Sequence, residues 1–342
     1  LKFQAEGIFS LLGQDEDASA CTDICESACK SQPRSFTLQL LAQVASKMAD
    51  TLGSSRVVLP WLLGAIGAPA FFIAWLVPIR ESLSLLPQLA IAARLREQPR
   101  RKHVYVLGAI VQGICLLLMP VSLVLNSASF SAATILVLLA LFSLARGLCS
   151  VASKDVLGKT VAKGRRGRLS GLAGSAAGIF TLAFAVFLLL SQGATTRPLL
   201  VAMLITAGTL WLVAALLYAQ VPEEAGATEG GASAWKNALR SIRLLQSDAP
   251  LRAFIFARML LVSSAYAIPF LVIRIFDTSS GSALALAIVM LAEGLAALSS
   301  GAIWGLFADR AAQRVMAAAG GLTVLTLGAV LLGPAHFISQ DP

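Results

Sequence analysis

Long stretches without a single formal charge dominate this chain. No Asp, Glu, Lys or Arg lies between Arg56 and Arg80, between Lys102 and Arg146, between Arg168 and Arg197, between Arg197 and Glu223, or between Arg314 and Asp341. A bilayer core of ~30 Å accommodates about 20 apolar helical residues. The stretch 103–145 therefore holds two crossings, with Asn126-Ser127-Ala128-Ser129 as the turn between them. Composition agrees: of 342 residues, 57% are hydrophobic and 13% charged, against about 25% charged in soluble domains. A water-soluble globule, a disordered chain and a disulfide-stapled module are all excluded.

The same reasoning predicts an all-α polytopic membrane protein with nine spans, at 37–58, 63–93, 104–125, 131–152, 170–191, 198–220, 252–273, 282–306 and 315–333. The first carries Lys47, Asp50 and Arg56, so a surface-lying amphipathic helix is its alternative. The second contains Pro78 and Pro87 and is expected to kink or tilt.

Charge placement fixes the orientation. If the first span runs outward, one side collects Arg94, Arg96, Arg100, Arg101 and Lys102, then Lys154, Lys159, Lys163, Arg165, Arg166 and Arg168. That side also receives Lys236, Arg240, Arg243, Arg252 and Arg258, and finally Arg310 and Arg314, while the other side holds Arg197 and Arg274. Lys and Arg concentrate on the cytoplasmic face of membrane proteins. The net charge of +9 is thus a topological signature, and no nucleic-acid partner is needed. The chain is expected in the cell (inner) membrane, with its acidic segment 1–35 in the cytoplasm.

Catalytic and cofactor motifs fail. Leu157-Gly158-Lys159-Thr160 resembles the end of a phosphate loop, but Ser153 stands where its first glycine is required. Cys21, Cys25 and Cys29 recur every four residues, which would align them on one helical face. They match no defensible zinc or cluster pattern and read as reduced cysteines. With His103 and His336 as the only histidines, no cofactor, metal site or enzyme activity is expected.

Charges inside the spans are costly and are candidates for function. Lys47 and Asp50 lie one turn apart in the first span, and Arg80 and Glu81 lie near the middle of the second. Antiparallel neighbours would bring these four to similar depth, either as a neutralised structural network or as a proton or substrate-cation site at Asp50 or Glu81. Burial favours the neutral acid there, and the adjacent cations favour the anion. Glu293 is central in the eighth span with no basic partner in its own helix, which makes it a candidate proton carrier.

Six spans precede residue 221. A polar break follows, then an amphipathic segment 236–245, and then the remaining spans. The stretch Gly305-Leu306-Phe307-Ala308-Asp309-Arg310-Ala311-Ala312-Gln313-Arg314 resembles the cytoplasmic loop signature of the major facilitator superfamily. Arg94 is similarly placed in the first half, with Ala93 at the family's aspartate position, and Arg146 sits where many members carry a fourth-helix arginine. Lys163-Gly164-Arg165-Arg166-Gly167-Arg168 is similar to the family's basic turn after the fourth helix. Gly171, Gly174 and Gly178 read as small residues for close helix packing.

The resemblance implies two lobes: a complete six-helix lobe at 36–220, a cytosolic linker at 221–250, and a partial three-helix lobe at 251–342. Members usually have twelve spans, so a fragment lacking the last three helices is expected. The implied function is secondary transport of a small solute by alternating access, coupled to protons, by a monomer in the lipid bilayer. Lys47, Asp50, Arg80, Glu81, Arg146 and Glu293 are the coupling candidates. Gly305, Asp309, Arg310, Arg314 and Arg94 are the gating candidates. The alternative is a membrane scaffold or sensor that retains the fold without transporting.

Overall fold

The computed structural model describes residues 25–85, 88, 98–124, 127–190, 196–225 and 247–332, with backbone alone at 124, 164, 196, 300–313, 315 and 330–332. Every regular element among them is a helix. In chain order these are α1 (Glu26–Leu52), α2 (Val58–Ala65), α3 (Ala70–Leu85), α4 (Lys102–Val121) and α5 (Ala128–Thr160). They are followed by α6 (Lys163–Leu190), α7 (Thr196–Ala219), α8 (Ala249–Ser263), α9 (Ile268–Thr278) and α10 (Ala283–Leu332).

Five of the described segments are long and apolar enough to cross a membrane: Lys102–Val121, Ala128–Thr160, Arg165–Leu190, Arg197–Ala219 and Ala249–Thr278. No more than 44% of any of their apolar windows is buried inside the protein. Leu107, Phe130, Val137, Phe187 and Leu216 point outward instead. Such extensive apolar surface needs lipid rather than water against it.

The first two expected spans divide differently from the sequence reading. Helix α1 begins at Glu26 and ends at Gly53, and the chain bends through Ser54–Val57 before α2. The turn before the second crossing falls at 66–69 rather than near 60. Gly67 takes φ +69°, and a Schellman cap closes α2: Gly67 N–H donates to Gly64 O and Ala68 N–H to Leu63 O, both at 2.9 Å. Pro69 then starts α3 without losing a needed donor. Pro60 lies in the first turn of α2, where its missing N–H is harmless.

Two other expected connections are helical. The basic run from Lys163 forms the first turns of α6, joined to α5 by only Val161 and Ala162. Arg166 satisfies the end of α5, donating to Val161 O at 2.8 Å and Gly158 O at 2.7 Å. The loop expected between 306 and 315 lies within α10, a single 50-residue helix about 75 Å long at 1.5 Å per residue. That stretch has no proline, and Ala308, Ala311 and Ala312 are strong helix formers.

Helix α1 packs on α6 and α7, α4 on α5 and α7, and α3 on α5. Trp61, Leu116, Met119, Ile135, Trp211 and Tyr218 fill the centre of this first set. In lipid, helix association depends on close packing, which small residues permit. A Cβ on Gly113 would lie 2.9 Å from the Gly208 carbonyl, so α4 and α7 touch backbone to backbone. The second set meets the first mainly at α6–α10 and α2–α9. At α6–α10, Gly178 faces Leu298 and Gly294 faces Leu182. At α2–α9, the Trp61 and Phe276 rings meet edge to face, with centroids 5.3 Å apart. Gly171 and Gly174 have open space where a Cβ would stand, so of the three glycines in that row only Gly178 is needed for close packing.

Candidate functional site

Positions 47, 50 and 51 fall on one face of α1 because residues three and four apart align along a helix. That face, with Arg146 from α5, residues 170–181 of α6 and Glu293 from α10, encloses a cavity of about 750 Å³. Ser170, Ser175, Thr51 and Thr181 add hydroxyls to its wall. A smaller cavity of about 270 Å³ shares Lys47, Arg146 and Ser170, and continues past Tyr105, Ser150, Ser153 and Lys154.

Asp50 is the electrostatic centre. Its Oδ2 is ion-paired with Arg146 Nη1. Its Oδ1 lies 3.6 Å from Arg80 Nη2, too far for a hydrogen bond, and this buried oxygen has no other hydrogen-bond partner. Both arginines rest on aromatic rings: Arg80 is 5.0 Å from the Phe142 centroid and Arg146 is 5.5 Å from that of Trp211. Cation–π attraction of this kind strengthens where water is scarce, so the rings hold the guanidinium groups against the carboxylate.

The other expected charges are arranged differently from a four-membered cluster. Glu81 of α3 pairs at 2.9 Å with Arg56, which lies in the bend between α1 and α2. Lys47 makes no ion pair among the described residues and lines both cavities. Glu293 projects into the larger cavity, and its buried Oε2 has no hydrogen-bond partner. Gly305, Asp309 and Arg310 lie in α10, and their side chains are outside the described residues. Arg314 is exposed on the same helix, and Arg94 lies outside the described residues.

Other polar partners were not singled out by the sequence. Glu223, buried just after α7, accepts the backbone N–H groups of Arg101 and Lys102 and the Lys159 ammonium. Arg101 in turn pairs with Asp155 at 3.0 Å. Cys149 donates to the Tyr105 carbonyl, and Tyr105 stacks on Tyr218 with centroids 3.7 Å apart. The run Pro222-Glu223-Glu224 directly after a span was the available signal for the first of these.

No cluster of potential metal ligands occurs among the described residues. Cys25 is an exposed free thiol, but Cys29 is disulfide-bonded, which corrects the expectation of reduced cysteines.

The sequence profile described as Major Facilitator Superfamily matches residues 36–339. No curated protein and no solved structure matches the chain significantly.

Proposed function

From the premise that the chain belongs to the major facilitator superfamily and is a membrane secondary transporter of small molecules, we propose that it works by alternating access, with Asp50 as its proton site. The observation that carries this reading is the Asp50 carboxylate, shared between Arg146 of α5 and Arg80 of α3 on the wall of a large cavity. Its Oδ1 has no hydrogen-bond donor and is open to a proton. Protonation there removes the charge that ties α1 to both arginines. A proton can drive a conformational change only through such a difference between states.

On this reading the contact of α2 with α9, where Trp61 meets Phe276, closes one end of the transport path. Alternating access requires this contact to part while the other end closes. The two halves that move are 36–220 and 251–342, joined by 221–250. The excess of Lys and Arg on one side supports an inner-membrane location with segment 1–35 in the cytoplasm.

The test is solute uptake in proteoliposomes, with and without an imposed pH gradient. Asp50→Asn is expected to abolish gradient-driven accumulation while leaving solute exchange across the membrane intact. Full gradient-driven accumulation by this variant would overturn the assignment of Asp50. Absence of both activities in the unmodified chain would favour a scaffold.

A further inference from the structure

Two charges of opposite sign line the larger cavity without an ion pair among the described residues, although Arg56 lines a neighbouring pocket with the second of them. Lys47 extends from α1, and Glu293 extends from α10 on the other side. Asp50, between them in chemistry, is already matched by Arg146 and Arg80. Neither Lys47 nor Glu293 makes an ion pair among the described residues, and Glu293 Oε2 is buried without a hydrogen bond.

The distribution of charge around this pair is polar. The smaller adjoining cavity has Lys47, Arg146 and Lys154 on its walls and no carboxylate, with Ser150 and Ser153 as further donors. That end suits an anionic group. At the other end, Asp50 and Glu81 are matched by Arg146, Arg80 and Arg56, and Glu293 is the carboxylate there left without an ion pair among the described residues, so that end has room for a cationic group. The larger cavity, about 750 Å³, falls in the range of ligand sites, roughly 300–1,000 Å³.

Resting on the transport reading above, we infer that the carried solute is a zwitterion, an amino acid or short peptide whose anionic group meets Lys47 and whose cationic group meets Glu293. Entry of a solute strips water from both side chains. A monoanion replaces the water at Lys47 but leaves Glu293 unpaired, and a monocation does the reverse. An unpaired charge in a dry site is expensive, and the expense is recovered only by an opposite charge with good hydrogen bonding. A zwitterion is the one simple class that supplies both.

The experiment uses the purified full chain in lipid nanodiscs, with no gradient. The probes are glycine, 4-aminobutyrate, 6-aminohexanoate, leucine and dialanine, each beside its N-acetyl form (an anion) and its amide (a cation). Binding is read by calorimetry and by thermal shift. At least one zwitterion is expected to bind tenfold or more tightly than both of its capped forms. Lys47→Gln is expected to erase the advantage over the amide, and Glu293→Gln the advantage over the N-acetyl form. Lys47→Arg and Glu293→Asp should retain both preferences, which separates charge recognition from misfolding.

Equal binding of capped and uncapped forms, or no zwitterion binding at all, overturns the inference. A zwitterion that binds but is never carried refutes the transport reading and leaves only the recognition of a zwitterion by Lys47 and Glu293 standing. Flux of capped forms alone does the opposite.

Discussion

Glu223 caps a helix that begins more than a hundred residues before it: its Oε2 accepts the Lys102 N–H at 2.7 Å, and its Oε1 accepts that of Arg101 at 3.0 Å. The first N–H groups of a helix have no partner within it, and a carboxylate there also meets the positive end of the helix dipole. Lys159 adds an ion pair at 3.1 Å to a Glu223 side chain with no exposed surface. One side chain thereby binds the start of α4, the end of α5 and the end of α7.

Glu223→Ala takes the acceptor from two helix donors and leaves the partly exposed Lys159 ammonium with the Pro99 carbonyl. The expected cost is about 2–4 kcal/mol, read as a fall of several degrees in the melting temperature of detergent-solubilised protein. Glu223→Gln keeps one acceptor and should lose less. An unchanged melting point in the alanine variant contradicts the clasp.

The Arg56–Glu81 pair should behave differently. Its side chains are 43% and 28% exposed, and ion pairs with that access to solvent contribute about 0–1 kcal/mol. Glu81→Gln is expected to shift the melting point by no more than a degree or two. The charge-swapped pair Arg56→Glu with Glu81→Arg should restore the original value. A large loss in the single variant would show that Glu81 has a role beyond this pair.

Gly64 offers a handle on the α2–α9 contact. A Cβ there would stand 2.5 Å from Ile273 Cδ1 and 2.9 Å from the Phe276 ring. Gly64→Leu is therefore expected to push this end apart. With Thr181→Cys as a reporter on the cavity wall, the larger side chain should speed labelling by a membrane-impermeant thiol reagent applied from the α2–α9 side. An unchanged labelling rate would mean that this contact does not close the path.

At the α6–α10 crossing, a Cβ on Gly178 would lie 2.5 Å from Leu298 Cδ2. Gly178→Val is expected to cost about 1–3 kcal/mol by overpacking. Leu298→Ala in the same chain should return most of that loss, because neighbouring substitutions couple. Additive melting shifts in the double variant would argue against this contact.

The sequence exposed the depth of the buried charges but not their pairing. Lys47 and Asp50 lie one turn apart, and Arg80 and Glu81 fall at a comparable level. However, consecutive residues on α3 point about 100° apart. Arg80 therefore turns toward Asp50, and Glu81 toward Arg56. The rotation of a helix about its own axis follows from packing between distant segments. Arg56 is in reach only because the chain bends after Gly53. Glu223 was hidden for a related reason: a glutamate just after a span reads as solvated, and its burial depends on the start of α4 lying beside the end of α7. The continuity of α10 was also not legible, since Asp309 and Arg310 punctuate an apolar run as a loop would.

The aromatic seats beneath Arg80 and Arg146 carry a consequence for adaptation. Phe142 and Trp211 touch the guanidinium groups rather than the carboxylate. Reshaping either ring would relocate an arginine by a fraction of its reach and so retune the field at residue 50. Under the proposed role of Asp50, a descendant of this protein could thereby change how firmly α1 is tied to its neighbours without altering any atom that the cargo contacts.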